Sequence, residues 1–151
     1  PQRMRAVVTR VRSASVEIAG RINGEIGQGF LVLLGVHGDD TEREAEKIAD
    51  KICGLRVFDD ADGKINLNPI DAGCPNLLII SQFTLFADCK SRRPGFSKAA
   101  RPDKAIPLYE KVIELCRARG FNVQTGIFAA EMLVESVNDG PITIILDTKE
   151  L

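Results

Sequence analysis

Two short stretches hold most of the residue types that can act on an ester or an amide. Ser81-Gln82-Phe83-Thr84-Leu85 sets two hydroxyls and a carboxamide directly after the apolar run Leu77-Leu78-Ile79-Ile80. Where a buried strand surfaces, its backbone N–H groups are free to point at a ligand oxygen, which is what an oxyanion hole requires. A strand that simply turns polar at the surface accounts for the same residues, and on composition alone it is the simpler reading. The second stretch is Asn138-Asp139-Gly140-Pro141, whose composition is that of a tight turn leading into a last strand. A bond to proline takes the cis form at modest cost, and a preceding glycine adds no side chain. Such a turn would present two rigid carbonyls as a wall.

Activation of Ser81 or Thr84 as a nucleophile needs a base. The chain has one histidine, His37, which lies between an apolar run and the acidic Asp39-Asp40 and reads as a loop residue. One imidazole disfavours a Ser-His-Asp arrangement and a multi-histidine metal site. The four cysteines, Cys53, Cys74, Cys89 and Cys116, form no C-x-x-C pair and read as reduced, mostly core-filling thiols. No metal and no cofactor is expected. Phe128 and Met132 are spaced for one face of a strand, where core packing is the default.

Charge adds a third feature. The net charge is −1 over 151 residues, so bulk charge names no partner. Between Lys90 and Lys104, however, Lys90, Arg92, Arg93, Lys98, Arg101 and Lys104 face a single acid, Asp103. Such a segment can hold a phosphate backbone locally, although a solvated loop has the same composition. Hydrophobic residues at 44% and charged residues at 27% lie near the globular average, which argues against disorder, collagen and coiled coil. No apolar run approaches the ~18 residues of a spanning helix. Arg3, Arg5, Arg10 and Arg12 interrupt any signal-like apolar start, so a cytoplasmic setting is expected.

The elements that must position these groups follow from periodicity. Met4–Arg12 and Ser15–Ala19 read as strands, with Asn23-Gly24 as a hairpin signal. Phe30–Val36, bounded by glycines, reads as a strand buried on both faces. Thr41 and Glu44 form a capping box that opens a helix stopped by Gly54. Short strands are expected at Leu55–Phe58 and from Asn76 towards Ala87, with residues 66–75 irregular. A second helix is expected over Asp103–Gly120, capped by Asp103, with Pro107 in its first turn. Three closing strands are expected at Phe121–Phe128, Glu131–Val137 and Ile142–Asp147, the last two separated by the turn at residues 138–141. The order predicts an α/β fold of mixed β-sheet layers with two helices packed on one face, a three-layer β/β/α-like single domain over residues 4–151. Residues 1–3 precede Met4 and read as an expression remnant or a processed end.

Ser81-Gln82-Phe83-Thr84-Leu85 and Asn138-Asp139-Gly140-Pro141-Ile142-Thr143 resemble the paired signatures of the D-aminoacyl-tRNA deacylases. Met4-Arg5-Ala6-Val7-Val8-Thr9-Arg10-Val11 is similar to that family's opening strand, Leu55-Arg56-Val57-Phe58 to its middle strand, and residues 87–100 with Arg92-Arg93-Pro94 and Phe96 to its basic loop. The resemblance implies hydrolysis of the ester between a D-amino acid and the terminal ribose of tRNA, with glycyl esters also accepted. It implies a homodimer in which each subunit lends a cis Gly140-Pro141 turn to the other's pocket as the chiral selector. Ser81, Gln82, Phe83 and Thr84 would supply the catalytic segment. Phe128, Ala129 and Met132 would line the pocket, Arg10 would brace the turn, and Lys90, Arg92, Arg93 and Lys98 would grip the acceptor end. One departure is Ala129-Ala130-Glu131-Met132, where the family usually has Gly-Ala-Asp-Met; it bears on substrate preference. Two rival readings stay open: a non-catalytic tRNA-binding module that uses the basic loop, and a small-molecule esterase that uses Thr84 or Ser81.

Overall fold

The computed structural model describes residues 3–151; Pro1 and Gln2, two of the three residues read as a remnant, lie outside the described residues. A long strand, β1 (Arg5–Ile18), organises the molecule. On one edge it pairs antiparallel with β2 (Arg21–Ile26) along its second half and with β3 (Gly29–Gly35) along its first. On the other edge it pairs with β8 (Leu133–Asp147) along nearly its whole length. Beyond β3 the sheet continues in parallel through β6 (Asn76–Ser81) to β7 (Asn122–Thr125). A two-stranded ribbon, β4 (Phe58–Asp59) with β5 (Ile65–Leu67), stands apart.

The sheet curls until β2 meets β7, so it is nearly closed. The Asn23 side chain donates to the Thr125 carbonyl at 2.7 Å. A Cβ at Gly24 would stand 3.1 Å from Gln124 Cβ and from the Thr125 carbonyl, so a larger residue would push the two strands apart by a few tenths of an ångström. Val11, Val16, Leu31, Leu78 and Ile80 fill the inside of the curl. The other face of the sheet is covered by α1 (Glu42–Gly54) and α2 (Pro102–Ala118), with Phe30, Ile48, Ile52, Leu77, Ile79 and Val112 in the larger core. The mixed α/β class and the two helices agree with the sequence reading, and the Thr41–Glu44 capping box forms as expected.

Several boundaries differ. Met4–Arg12 and Ser15–Ala19 are one strand, because both edges of β1 are paired and the irregularities at Thr9–Ser13 are absorbed as bulges. The β1–β2 turn is Ala19-Gly20, both in the left-handed region at φ 51° and 78°, and Asn23-Gly24 lies inside β2. The Leu55–Phe58 strand begins only at Phe58, and part of the supposedly irregular 66–75 stretch joins β5. The second helix starts at Pro102 with Arg101 at its N-cap, and Asp103 falls in its first turn rather than capping it. Pro107 lies inside the helix, where it removes one intrahelical donor.

The C-terminal third shows the largest departure. The region expected as Phe121–Phe128 is only the four-residue β7, and Glu131–Val137 and Ile142–Asp147 are halves of the single strand β8. Asn138–Pro141 is therefore a bulge within a strand, not a turn between strands. Val11 pairs with Asn138 and Thr9 with Thr143, so residues 139–142 stand opposite Arg10 alone.

Candidate functional site

The strand β6 emerges at Ser81 and does not continue to Ala87 as expected. The backbone turns into a 3₁₀ segment, Phe83–Phe86, held by bonds from Leu85 N–H to Gln82 O and from Ala87 N–H to Thr84 O. The first N–H groups of a helical turn have no partner in the turn itself. Among the described residues no acceptor meets the N–H of Phe83 or of Thr84.

Phe83 and Thr84 line a cavity of about 710 Å³. Its walls bring together Ser81, Gln82, Phe83 and Thr84 from the β6 exit and Phe128, Ala129 and Met132 from the segment before β8. Phe128 and Met132 were expected on one strand face. They lie in an irregular connection between β7 and β8, closed by a bond from Ala130 N–H to Ile127 O at 3.1 Å. Ala129 is held there at φ 64°, a conformation that an L side chain adopts only at some cost. The Thr84 hydroxyl accepts a hydrogen bond from the Gln82 amide at 3.0 Å. Among the described residues that line the cavity there is no imidazole and no carboxylate, and the only formal charge is that of Arg101. His37 does not line this cavity: its Nδ1 accepts from Asp39 N–H at 3.1 Å, its backbone pairs with Ala99, and its ring meets Phe86 edge-on at 5.4 Å.

Beneath β6, buried Tyr109 of α2 donates its hydroxyl to the Ile79 carbonyl at 2.7 Å. Burial pushes this phenol well above its ordinary range, so it stays a neutral donor that anchors the strand feeding the site.

The basic segment is a structured arm. Asp88 and Gly95 pair through two backbone bonds of 2.7 and 2.9 Å, which leaves Lys90, Arg92 and Arg93 exposed at the tip. Its return limb is pinned to the end of β3 by Gly38 N–H to Lys98 O and Ala100 N–H to Val36 O. That limb supplies Phe96 and Arg101 to the cavity, and the Phe96 ring packs edge-on against Phe83 at 5.0 Å. The sequence reading did not assign Phe96 or Arg101 to the site. An aromatic inside a basic loop and an arginine at a Pro-led helix start were the available signals.

Arg10, Gly140 and Pro141 stand elsewhere. The Gly140–Pro141 bond is cis. Gly140 has φ 124°, and a Cβ there would meet the Ile142 N and Cγ1 at 2.9 Å, so the position demands glycine. Buried Arg10 braces the bulge: Nε donates to Asp139 O at 3.3 Å and faces the Asp139 carboxylate at 3.4 Å, while Nη1 donates to Val57 O at 2.7 Å. Pro141 and Gly140 are exposed and line no part of this chain's cavity. From Val134 at the cavity wall, strand rise carries the chain up to roughly 20 Å before Gly140. Along the same strand Leu133, Val137 and Ile145 are 65%, 55% and 69% exposed, an unusual amount of uncovered apolar surface on an edge strand.

Comparison with known proteins adds an independent finding. The D-Tyr-tRNA(Tyr) deacylase family profile matches residues 7–147. The D-aminoacyl-tRNA deacylase of Fervidobacterium nodosum is 54% identical over 149 residues, covering 98% of this chain and 99% of its own. That of Koribacter versatilis is 53% identical over 148 residues, covering 97% and 99%. The solved structure of a c-Myc DNA unwinding element binding protein matches with a TM-score of 0.88 at 38% identity, covering 94% of this chain and 97% of its own. The structure of a probable eukaryotic D-amino acid tRNA deacylase shares the fold at a TM-score of 0.82 and 17% identity, covering 96% and 99%.

Proposed function

The chain belongs to the D-Tyr-tRNA(Tyr) deacylase family, and on that premise we propose that it hydrolyses the ester of D-aminoacyl-tRNA through backbone groups of the Phe83–Phe86 turn. It is a hydrolase of carboxylic esters, and its products are the free D-amino acid and tRNA. The observation that carries the mechanism is a cavity lined by Phe83 and Thr84, whose N–H groups meet no acceptor among the described residues, and by no described imidazole or carboxylate. An aminoacyl ester is already activated, so orientation and charge stabilisation supply most of what is needed. Water attacks the carbonyl carbon. The oxygen gains negative charge and is held by the Phe83 and Thr84 N–H groups. The C–O bond to the ribose breaks, and the ribose oxygen leaves with the proton given up by the attacking water. The adjacent 2′-hydroxyl of the substrate orients the water. The Thr84 hydroxyl, engaged by Gln82 and lacking a base, takes no covalent part.

Selection between mirror-image substrates is a matter of exclusion. A pocket shaped for one apolar side chain discriminates by only ~1–3 kcal/mol per methylene. A rigid wall where an L side chain must go rejects every L residue and admits glycine, which has nothing to clash. In this reading the wall is Gly140-Pro141 of a second subunit, because the bulge stands outside its own chain's cavity and beside the uncovered apolar residues of β8. Isologous pairing of two β8 faces would cover those residues and deliver each bulge to the other cavity. Lys90, Arg92, Arg93 and Lys98 would hold acceptor-end phosphates without reading bases.

The test is hydrolysis of D- and L-tyrosyl-tRNA by the purified chain, with free D-tyrosine methyl ester as a third substrate. Release from D-tyrosyl-tRNA alone is the expected result. Binding of tRNA without release would favour a binding module, and equal turnover of the free ester would favour a small-molecule esterase.

A further inference from the structure

One side chain outside the cavity lining, itself held by a second, grips the turn that carries the unpaired N–H groups. Arg5, on β1, donates from Nη1 to the carbonyl of Leu85 at 2.8 Å, inside the Phe83–Phe86 turn. Its guanidinium carbon lies 4.9 Å from the centre of the Phe86 ring, over the next residue of the same turn. The other edge of the guanidinium is fixed by Asp147 at the end of β8: Nε and Nη2 reach Oδ2 at 3.2 and 3.1 Å, and Arg3 contacts the same oxygen at 3.2 Å. Strand register places Arg5 opposite both Asp147 and Gly35. Gly35 completes the seat, because a Cβ there would stand 3.1 Å from Gln82 O, Leu85 Cβ and Phe86 Cε2. The turn therefore rests flat on bare backbone on one side and is clamped through a carbonyl and a ring on the other.

We propose that Arg5, oriented by Asp147, is a positioning residue that sets the direction of the Phe83 and Thr84 N–H groups for ester hydrolysis. The inference rests on the reading of that turn as the oxyanion-binding element. A planar guanidinium suits the task, since it can bind a carboxylate with one edge, a carbonyl with another and a ring with its face. An ammonium cannot make all three contacts. The anchor is firm at neutral pH: burial alone would raise Asp147, but the Lys149 N–H and the two arginines hold its carboxyl below the ordinary range. Displacing a reacting group by about 1 Å can cost on the order of 100-fold in rate, so a loosened clamp acts on turnover while leaving the cavity's binding walls in place.

The experiment compares wild type, Arg5→Met, Arg5→Lys and Asp147→Asn in D-tyrosyl-tRNA hydrolysis, with backbone amide shifts and hydrogen exchange of residues 83–87 recorded by NMR. For Arg5→Met the expected result is kcat lower by roughly 10- to 100-fold, KM changed by less than about twofold, and shifted, faster-exchanging amides at 83–87, with the remaining amides as in wild type. Arg5→Lys and Asp147→Asn should fall between the two. Wild-type kcat in Arg5→Met, or unmoved 83–87 amides, overturns the proposal. If wild type itself releases no tyrosine, the functional reading fails, and the amide data alone decide whether Arg5 sets the turn. If Arg5→Met does not fold, Asp147→Asn carries the same comparison, since it keeps Arg5 and frees it.

Discussion

The exit of β6 and the bulge of β8 are both irregular backbone held by an arginine of β1, yet they stand in opposite relation to the cavity. The β6 exit is closed by bonds within four residues of each other, is seated against Arg5 and Gly35 of neighbouring strands, and lines a cavity of its own chain. The β8 bulge is held by a buried arginine of the adjacent strand β1 and lines no part of that cavity. In the proposed function the first supplies the ester chemistry from within one subunit. In the second, a buried guanidinium and a position that demands glycine support residues that are themselves exposed to solvent. A feature of that kind makes sense when a second molecule is its target.

Breaking the proposed subunit contact gives the largest expected effect. Charging the uncovered face of β8 with Val137→Asp and Ile145→Asp should yield a monomer by light scattering. It should also remove discrimination between D- and L-tyrosyl-tRNA, since the wall leaves with the partner. A monomer that still rejects L-tyrosyl-tRNA would place selection within one chain and erase the contrast between the two regions.

Arg10→Met comes next. It leaves the Val57 carbonyl and the Asp139 carboxylate without their donor, at a cost of about 2–3 kcal/mol by thermal unfolding. Discrimination between D and L substrates should fall by at least tenfold while the dimer persists, because the bulge loses its brace and the cavity does not. Unchanged discrimination at reduced stability would make Arg10 a purely structural group.

Replacing Lys90, Arg92 and Arg93 together by Ala should raise KM for tRNA several-fold at ~150 mM salt, with kcat nearly constant. The slope of log KM against log salt should flatten by about 2–3, as expected when three phosphate contacts are lost. An unaltered slope would return the exposed arm to a solvated loop. The smallest effect belongs to Thr84→Ala, which should retain activity within a few-fold because its N–H, not its hydroxyl, is used. Loss of more than about 100-fold would mean that the side chain acts chemically.

The two regions were also unequally legible in sequence. The β6 exit was readable as a place because an apolar run ends in Ser81-Gln82, and local composition reports where a strand surfaces. Its 3₁₀ geometry was not, since Phe83-Thr84-Leu85-Phe86 has the β-branched and aromatic character of a strand. The contacts that accompany the turn, Gly35 packed against it and Arg5 bonded to the Leu85 carbonyl, come from strands remote in sequence. In β8, glycine next to proline looks like the end of a strand. A bulge and a turn demand the same residues, and only pairing with β1 on both sides of Arg10 makes it a bulge. Asn23-Gly24 misled for a related reason: the glycine eases close approach to β7, a partner about a hundred residues away in the chain.

The sequence by itself determined the mixed α/β class, the capping of α1, the buried strands and the segments that carry chemistry, because these depend on periodicity and on residue types acting over a few neighbours. Only the tertiary structure decided that Phe96 and Arg101 join the cavity, that Arg5 and Asp147 clamp its turn, and that the Gly140-Pro141 bulge lies outside it. Those are contacts between residues remote along the chain, and their geometry exists only once the strands have taken their register and the sheet has curled.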